Sequence, residues 1–169
     1  MERQKVRKIS VLLTRYHSLF SDFIYFTSGR GYTHASISLG EDTCYYSFNL
    51  KGICVENMAG RKPVSKDPKS ICYEFEVSEF DYGRMKRKIQ VMLSNRQLFH
   101  YNRLGLIFCF LHIPFKRTQH YFCSQFVAEL LSLTEDITLK KHPSLYLPNQ
   151  FVKELEGQTS LCRVIQDMI

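Results

Sequence analysis

A short stretch of strict alternation constrains the fold of this chain more than any other feature. Between residues 33 and 39 the side chains alternate, with Thr33, Ala35, Ile37 and Leu39 on one side and His34, Ser36 and Ser38 on the other. Because successive side chains of a β-strand point to opposite faces of the sheet, this predicts a strand with one buried and one polar face. Turn-forming residues at 40–43 and 49–52 separate two further strand-like stretches, Cys44–Phe48 and Ile53–Glu56. We therefore predict a three-strand antiparallel meander.

The rest of the chain mixes strand and helix patterns around this meander. Strands are predicted at Lys8–Leu13, Ile71–Val77 and Leu161–Ile165, and helices at Ser18–Phe26, after Ser78, at Leu104–His112, at Ser124–Leu133 and at Pro148–Leu155. This mixed order over 169 residues predicts the α+β class and a single domain, residues 1–169.

For two of these helices and for one connector, the sequence also predicts burial or exposure. In the helix that Ser78 caps, with Asp81 at its third position, the expected buried stripe consists of Met85, Ile89, Met92 and Leu93. The apolar stretch Leu104–His112 is expected to form a buried helix. The polar connector Asn57–Ser70 is either a solvated surface excursion, which we favour, or a lid.

The charge and the cysteine spacing exclude several classes of protein. Lys and Arg outnumber Asp and Glu by 23 to 16, and the resulting net charge of +7 suits an anionic partner, but no nucleic-acid-binding module accompanies it. No apolar run fits a membrane span or a secretory signal, so we expect a cytoplasmic protein without stable membrane insertion. The six cysteines lack the paired spacing of a structural zinc site, and we predict no metal, no cofactor and no disulfide framework.

Cys123 stands at the predicted start of the helix Ser124–Leu133. A thiol at that position lies near the positive end of the helix dipole and near unpaired backbone N–H groups. Both favour the thiolate, which is the nucleophilic form of cysteine. The alternative is a buried cysteine without chemistry, which from position alone is the commoner case.

His34 lies on the polar face of the alternating strand, a rigid position from which an imidazole can act as a base toward a thiol. If the turn at Glu41–Asp42 is symmetric, Asn49 lies directly across from His34 on the same face and could orient its ring. Ser47 and Glu56 are the other candidates for this role, and Glu56 ranks below Asn49 because it lies nearer the far end of the hairpin. An exposed strand histidine and a turn asparagine are the structural alternatives.

The stretches Gly31–Leu39 and Phe122–Val127, in this order, resemble the circularly permuted papain-like hydrolases, the NlpC-type superfamily members of the YiiX-like branch. Tyr101–Leu106 is similar to the Tyr-led segment that these proteins carry shortly before the cysteine, and the resemblance covers nearly the whole chain. It implies Cys123 as nucleophile, His34 as base and a polar residue on the next strand as the orienting group. It also implies a papain-like fold, with an antiparallel sheet against helices, and cleavage of an amide, thioester or ester through an acyl-enzyme.

We therefore expect a cysteine hydrolase or acyltransferase that acts on a small peptide, an amino-acid conjugate or a lipid. The backbone N–H of Cys123 is expected to bind the oxyanion, and Tyr101, Ser124 and Tyr32 are expected to line the substrate pocket. No nucleic-acid partner is expected for this enzyme. The alternative is a non-catalytic module of the same fold that uses the charge of +7 to bind anionic lipid or nucleic acid.

Overall fold

The computed structural model describes residues 6–16, 22, 24–26, 29, 31–40, 43–59 and 70–167. The strands are β1 (Val6–Thr14), β2 (His34–Ser38), β3 (Cys44–Asn49), β4 (Gly52–Asn57), β5 (Ser70–Ser78), β6 (His100–Tyr101), β7 (His120–Tyr121) and β8 (Leu161–Gln166). The α-helices are α1 (Glu79–Ser94), α2 (Arg103–Phe110), α3 (Cys123–Leu131) and α4 (Phe151–Glu156). Short 3-10 turns lie at Arg96–Leu98, Pro143–Leu145 and Pro148–Gln150.

Six of these strands form one antiparallel sheet in the order β4-β3-β2-β1-β5-β8. The consecutive strands β2, β3 and β4 are neighbours, so the predicted meander is confirmed. Ile37 pairs with Tyr46, which is the register that a symmetric turn between β2 and β3 requires. The strands β6 and β7 form a separate, short parallel pair. Helices pack against the large sheet, and the α+β class is confirmed.

One face of the sheet forms the main core. Its cross-strand neighbours Val11, Ile37 and Tyr73 are fully buried, and α1, α3 and α4 cover them. The helices contribute the buried side chains Met85, Ile89, Met92, Phe126, Val127, Leu130, Leu131, Phe151 and Leu155. Burial of each large apolar side chain contributes roughly 1.5–3 kcal/mol to folding, so this layer supplies most of the stability of the fold. The alternation in β2 leaves its polar side chains on the opposite face.

The helix α1 begins as predicted. The hydroxyl of Ser78 accepts a hydrogen bond from the Asp81 N–H at 3.1 Å, which satisfies one of the unpaired donors of the first turn. Met85, Ile89 and Met92 are buried, and Leu93 packs against the same core. The predicted stripe is therefore confirmed.

The burial of helix α2 differs from the prediction. Leu106 and Cys109 are buried, but Leu104, Ile107 and Leu111 are exposed, so the prediction of a buried helix is wrong. The reason is that α2 is little more than two turns long and packs through one side only, in a small cluster that includes Phe122 and Leu147. Apolar composition predicted the helix, whereas its burial depended on what packs around it.

Three predicted segments lie wholly or partly outside the described residues. Of the predicted helix Ser18–Phe26, only residues 22 and 24–26 are described, and these are helical. Most of the connector Asn57–Ser70 and the turn Glu41–Asp42 fall outside, so the choice between a surface excursion and a lid stays a prediction. Among the helices of the described ranges, none has the length and apolar character needed to cross a membrane.

Candidate active site

Cys123 is the first residue of α3. The preceding residue, Phe122, is extended (φ −107°, ψ 164°) and fully buried, and its carbonyl accepts the first helical hydrogen bond, from the Phe126 N–H at 3.0 Å. The backbone N–H groups of residues 123–125 therefore have no carbonyl partner within the helix. The amphipathic pattern that follows buries α3 against the sheet, and this packing holds the Cys123 thiol, 5% exposed, at the end of the helix where the dipole favours negative charge.

His34 is the first residue of β2, and its imidazole contacts a carboxylate. Its Nε2 lies 2.7 Å from Oε1 of Glu56 on β4, and both side chains are 11% exposed. The ring of Tyr16 packs on the imidazole at a centroid distance of 5.1 Å. The start of the strand is fixed by Thr33, whose N–H donates to the Thr14 carbonyl and whose hydroxyl accepts from the Tyr16 N–H. The imidazole is therefore held in place on two sides.

The Cys123 thiol lies beside the His34 imidazole, close enough for each group to shift the pKa of the other. Because Nε2 faces Glu56, the other ring nitrogen, Nδ1, is the one left for the thiol. The structure thus brings together a nucleophilic atom, a base and a carboxylate in a continuous row, from the end of α3 through β2 to β4. A thiol, an imidazole and an orienting polar group in contact are the arrangement that cysteine hydrolases use.

The environment shifts both titrating groups toward their charged forms. Burial alone would lower the pKa of His34, but the Glu56 carboxylate and Cys123 raise it well above its ordinary value. Burial alone would raise the pKa of Cys123, but the His34 imidazole and the backbone N–H groups of Ala35 and Ser124 lower it below the ordinary thiol value. Both shifts therefore favour a thiolate paired with an imidazolium over the neutral pair.

The residue that contacts His34 is Glu56, and the prediction of Asn49 in this position is wrong. Asn49 is exposed at the end of β3, and its side-chain oxygen accepts the Lys51 N–H at 2.8 Å, within the turn. Glu56, whose side chain is longer and only 11% exposed, reaches His34 from β4 across the intervening β3. Ser47, the third candidate, instead donates its hydroxyl to the Ala35 carbonyl at 2.7 Å.

The three predicted pocket residues have different surroundings. Tyr101 is near the thiol, since its pKa is raised first by burial and then by the charge of Cys123. Ser124 follows Cys123 directly, is fully buried, and has a hydroxyl without a hydrogen-bond partner. Tyr32 packs against the main core, and the charges that raise its pKa, after burial, are those of Asp167 and Glu156. The structure therefore places Tyr101 near the thiol, leaves the Ser124 hydroxyl buried next to it in the chain, and packs Tyr32 against the main core.

Two further residues of the site escaped the sequence reasoning. Tyr16 packs on His34. Thr14 pairs with His34, so a prediction that β1 pairs with β2 would have placed Tyr16 near His34. The Cys54 thiol lies 4.0 Å from Oε1 of Glu56, two residues before it on the same face of β4. Burial and the Glu56 charge raise the pKa of Cys54 to about 11, so this thiol stays protonated. Of the two neighbouring thiols, only Cys123 is poised as a nucleophile.

The described part of the chain contains no group of three or more His, Cys, Asp or Glu side chains arranged to hold a metal ion. Comparison of the chain with protein-family models and with curated proteins finds no match.

Proposed function

We propose that this protein is a cysteine-dependent hydrolase or acyltransferase. In this proposal Cys123 is the nucleophile, His34 is the general base and acid, and Glu56 orients the imidazole and raises its basicity. The observation that carries the proposal is the 2.7 Å contact between Oε1 of Glu56 and the His34 ring, with that ring beside the thiol at the start of α3. The strand-borne histidine precedes the helix-borne cysteine, and on this order we assign the fold to the permuted papain-like type.

The reaction begins with attack of the Cys123 thiolate on the carbonyl carbon of an amide, thioester or ester. The proton of the thiol resides on His34, and the carbonyl π electrons move to oxygen to give a tetrahedral oxyanion. The backbone N–H of Cys123 has no carbonyl partner within the helix and is available to stabilise that oxyanion. The bond to the leaving group then breaks as His34 protonates the departing nitrogen, sulfur or oxygen, which leaves a thioester on Cys123.

The second half of the reaction releases the acyl group. Water, or an acceptor alcohol or amine in the case of transfer, attacks the thioester carbonyl while His34 removes its proton. Collapse of the second tetrahedral species expels the Cys123 thiolate, and the imidazolium–thiolate pair is restored. Glu56 stays ionised throughout and stabilises the imidazolium that forms in both halves.

The proposed substrate is an acyl compound of small size, namely a short peptide, an amino-acid conjugate or a lipid. Tyr101, whose hydroxyl lies near the thiol, and the buried hydroxyl of Ser124 are the side chains proposed to contact it. We also propose a cytoplasmic location, supported by six free thiols, which is the ordinary state of cysteine in a reducing compartment.

The proposal is tested by alkylation with limiting iodoacetamide from pH 6 to pH 9, read at each cysteine by mass spectrometry. We expect Cys123 to react at pH 6, where Cys54 and the exposed Cys162, whose pKa values are raised, remain unreactive. His34→Ala should remove that selectivity, because it removes the proton acceptor and the positive charge beside the thiolate.

The internal control is Cys162, which is accessible in both proteins and reports any change in reagent activity. Equal rates at Cys123 and Cys162 throughout the pH range would contradict the proposed thiolate–imidazolium pair. Retention of the Cys123 advantage in the His34→Ala protein would contradict the role of His34.

A further inference from the structure

The net positive charge of the chain arises from one segment. Residues 82–128 contain no Asp or Glu and hold eight basic residues, Arg84, Lys86, Arg87, Lys88, Arg96, Arg103, Lys116 and Arg117. The rest of the chain therefore has 15 basic and 16 acidic residues, so its net charge is −1 and the segment accounts for the whole excess. This segment runs from α1 through α2 to the start of α3.

The same segment exposes an apolar surface on α2 and on the loop that follows. Leu104, Ile107 and Leu111, spaced three and four residues apart, share one side of the helix, and all three are about half exposed. Ile113 extends this surface, and the exposed Arg103 and Arg117 lie before and after it in the sequence. We call this surface, made by Arg103, Leu104, Ile107, Leu111, Ile113 and Arg117, the α2 face.

The loop after α2 is fixed against the helix. The Ile113 N–H donates to the Phe108 carbonyl at 2.9 Å, and the rings of Phe108 and Phe115 stack at a centroid distance of 4.7 Å. Nζ of Lys116 lies 3.0 Å from Oε1 of Glu129, which ties the end of the loop to α3. The exposed apolar side chains are thus presented by an ordered element, and their exposure is a property of the folded chain.

We propose that the α2 face docks the protein on an anionic membrane surface. A helix side with aliphatic residues between basic ones buries its apolar side chains among lipid headgroups, while Lys and Arg contact anionic lipids. Charge complementarity favours this partner, because the exposed Arg103 and Arg117 stand in the sequence on either side of the apolar side chains. A nucleic acid would use the basic groups but would leave Leu104, Ile107 and Leu111 in water.

The position of the α2 face connects this surface to the site. Tyr101 lies two residues before α2, and the Asn102 N–H donates to the Tyr121 carbonyl at 2.9 Å, two residues before Cys123. Docking through α2 would bring the strand that leads into Cys123 close to the lipid surface. The docking itself does not depend on the proposed chemistry, and it is expected to persist in Cys123→Ala.

The test is cosedimentation of the full chain with vesicles of phosphatidylcholine alone and of phosphatidylcholine mixed in equal parts with phosphatidylglycerol. We expect binding to the mixed vesicles only, weakening as salt rises. Ile107→Asp or Leu111→Asp should each weaken it by about tenfold or more, because a carboxylate enters the headgroup region in place of an apolar side chain.

The matched control is Leu50→Asp on the β3–β4 turn, since Leu50 is 54% exposed and Ile107 is 56% exposed. This control should bind like the parent protein, and circular dichroism should give the same folded signal for all variants. Equal weakening by Leu50→Asp, or unchanged binding by both α2 variants, would overturn the proposal. Binding to duplex DNA or RNA with none to mixed vesicles would also overturn it.

Discussion

At the scale of single residues, the site depends on how charge is distributed among three side chains. Glu56 and His34 are both nearly buried, so their interaction is weakly screened by solvent. The raised pKa of His34 and the lowered pKa of Cys123 support each other, because each charge stabilises the other. In the proposed mechanism the ion pair is bounded by the folded-state pKa of Cys123 at the lower end and that of His34 at the upper end. Below that window the thiol is protonated, and above it the imidazole is neutral.

Glu56→Gln tests this distribution. Removal of the carboxylate should lower the pKa of His34 and thereby raise that of Cys123, so the pH at which Cys123 alkylation is half-maximal should rise by about one unit or more. Asn49→Ala is the matched control, since Asn49 is exposed and bonds within its own turn. The measurement is the rate of Cys123 alkylation against pH for the three proteins. A shift in Asn49→Ala and none in Glu56→Gln would reverse the assignment of the orienting residue.

The same two pKa shifts act on stability with opposite signs. The raised pKa of His34 stabilises the folded protein. This stabilisation is complete below the pKa of His34 in the unfolded chain and is lost as pH rises through its pKa in the folded protein. The lowered pKa of Cys123 also stabilises the folded protein. This stabilisation is present above the pKa of Cys123 in the unfolded chain and is lost as pH falls through its pKa in the folded protein.

At the scale of secondary-structure elements, α2 is positioned by the residue before it. Asn102 is buried, and its side-chain oxygen accepts the Gly105 N–H at 2.8 Å as the N-cap of α2. Its backbone N–H donates to the Tyr121 carbonyl, which belongs to β7 and leads into α3. One residue therefore connects the start of α2 to the strand that precedes Cys123.

Asn102→Ala should lower the free energy of unfolding by about 1–2 kcal/mol, because the Gly105 N–H loses its acceptor in a buried place. Asn102→Ser retains a side-chain oxygen at the N-cap and should recover a substantial part of the loss. Urea denaturation of the three proteins measures the effect. Equal losses in the Ala and Ser variants would show that the capping bond is not the cause.

At the scale of the whole molecule, a buried carboxylate joins three parts of the chain. Glu129 on α3 lies 3.0 Å from Nζ of both Lys88 on α1 and Lys116 in the loop after α2. Burial would raise the pKa of Glu129, but the two lysines lower it on balance. The ionised Glu129 therefore stabilises the folded protein above the pKa that this carboxyl has in the unfolded chain. The stabilisation is lost as pH falls through its pKa in the folded protein.

Glu129→Gln should destabilise the protein by on the order of 1–3 kcal/mol at neutral pH, because two charged hydrogen bonds lose their acceptor charge. The difference from the parent protein should shrink when urea denaturation is repeated at pH 3. Glu79→Gln is the matched control, since its ion pair with Arg7 is solvent-exposed and its loss should destabilise the protein much less. A pH-independent difference for Glu129→Gln would contradict the role of its charge.

The sequence by itself determined the features that depend on local periodicity and on short turns. The alternation around His34 and the turn spacing predicted the meander and its register, because a one-residue slip would move the apolar side chains to the polar face. Ser78 predicted the start of α1, and the amphipathic pattern after Cys123 predicted a helix with the thiol at its start. These features arise from interactions between residues close in the chain.

Only the tertiary structure decided which polar residue reaches His34 and which side of α2 is covered. The Lys51 N–H that donates to the Asn49 side chain lies two residues away in the same turn. The contact of Glu56 with His34 across β3 depends instead on the sheet geometry and on side-chain length. The exposure of Ile107 likewise depends on distant segments that pack on one side of α2 alone. Periodicity specifies which side chains share a face, whereas contacts between distant segments specify what that face touches.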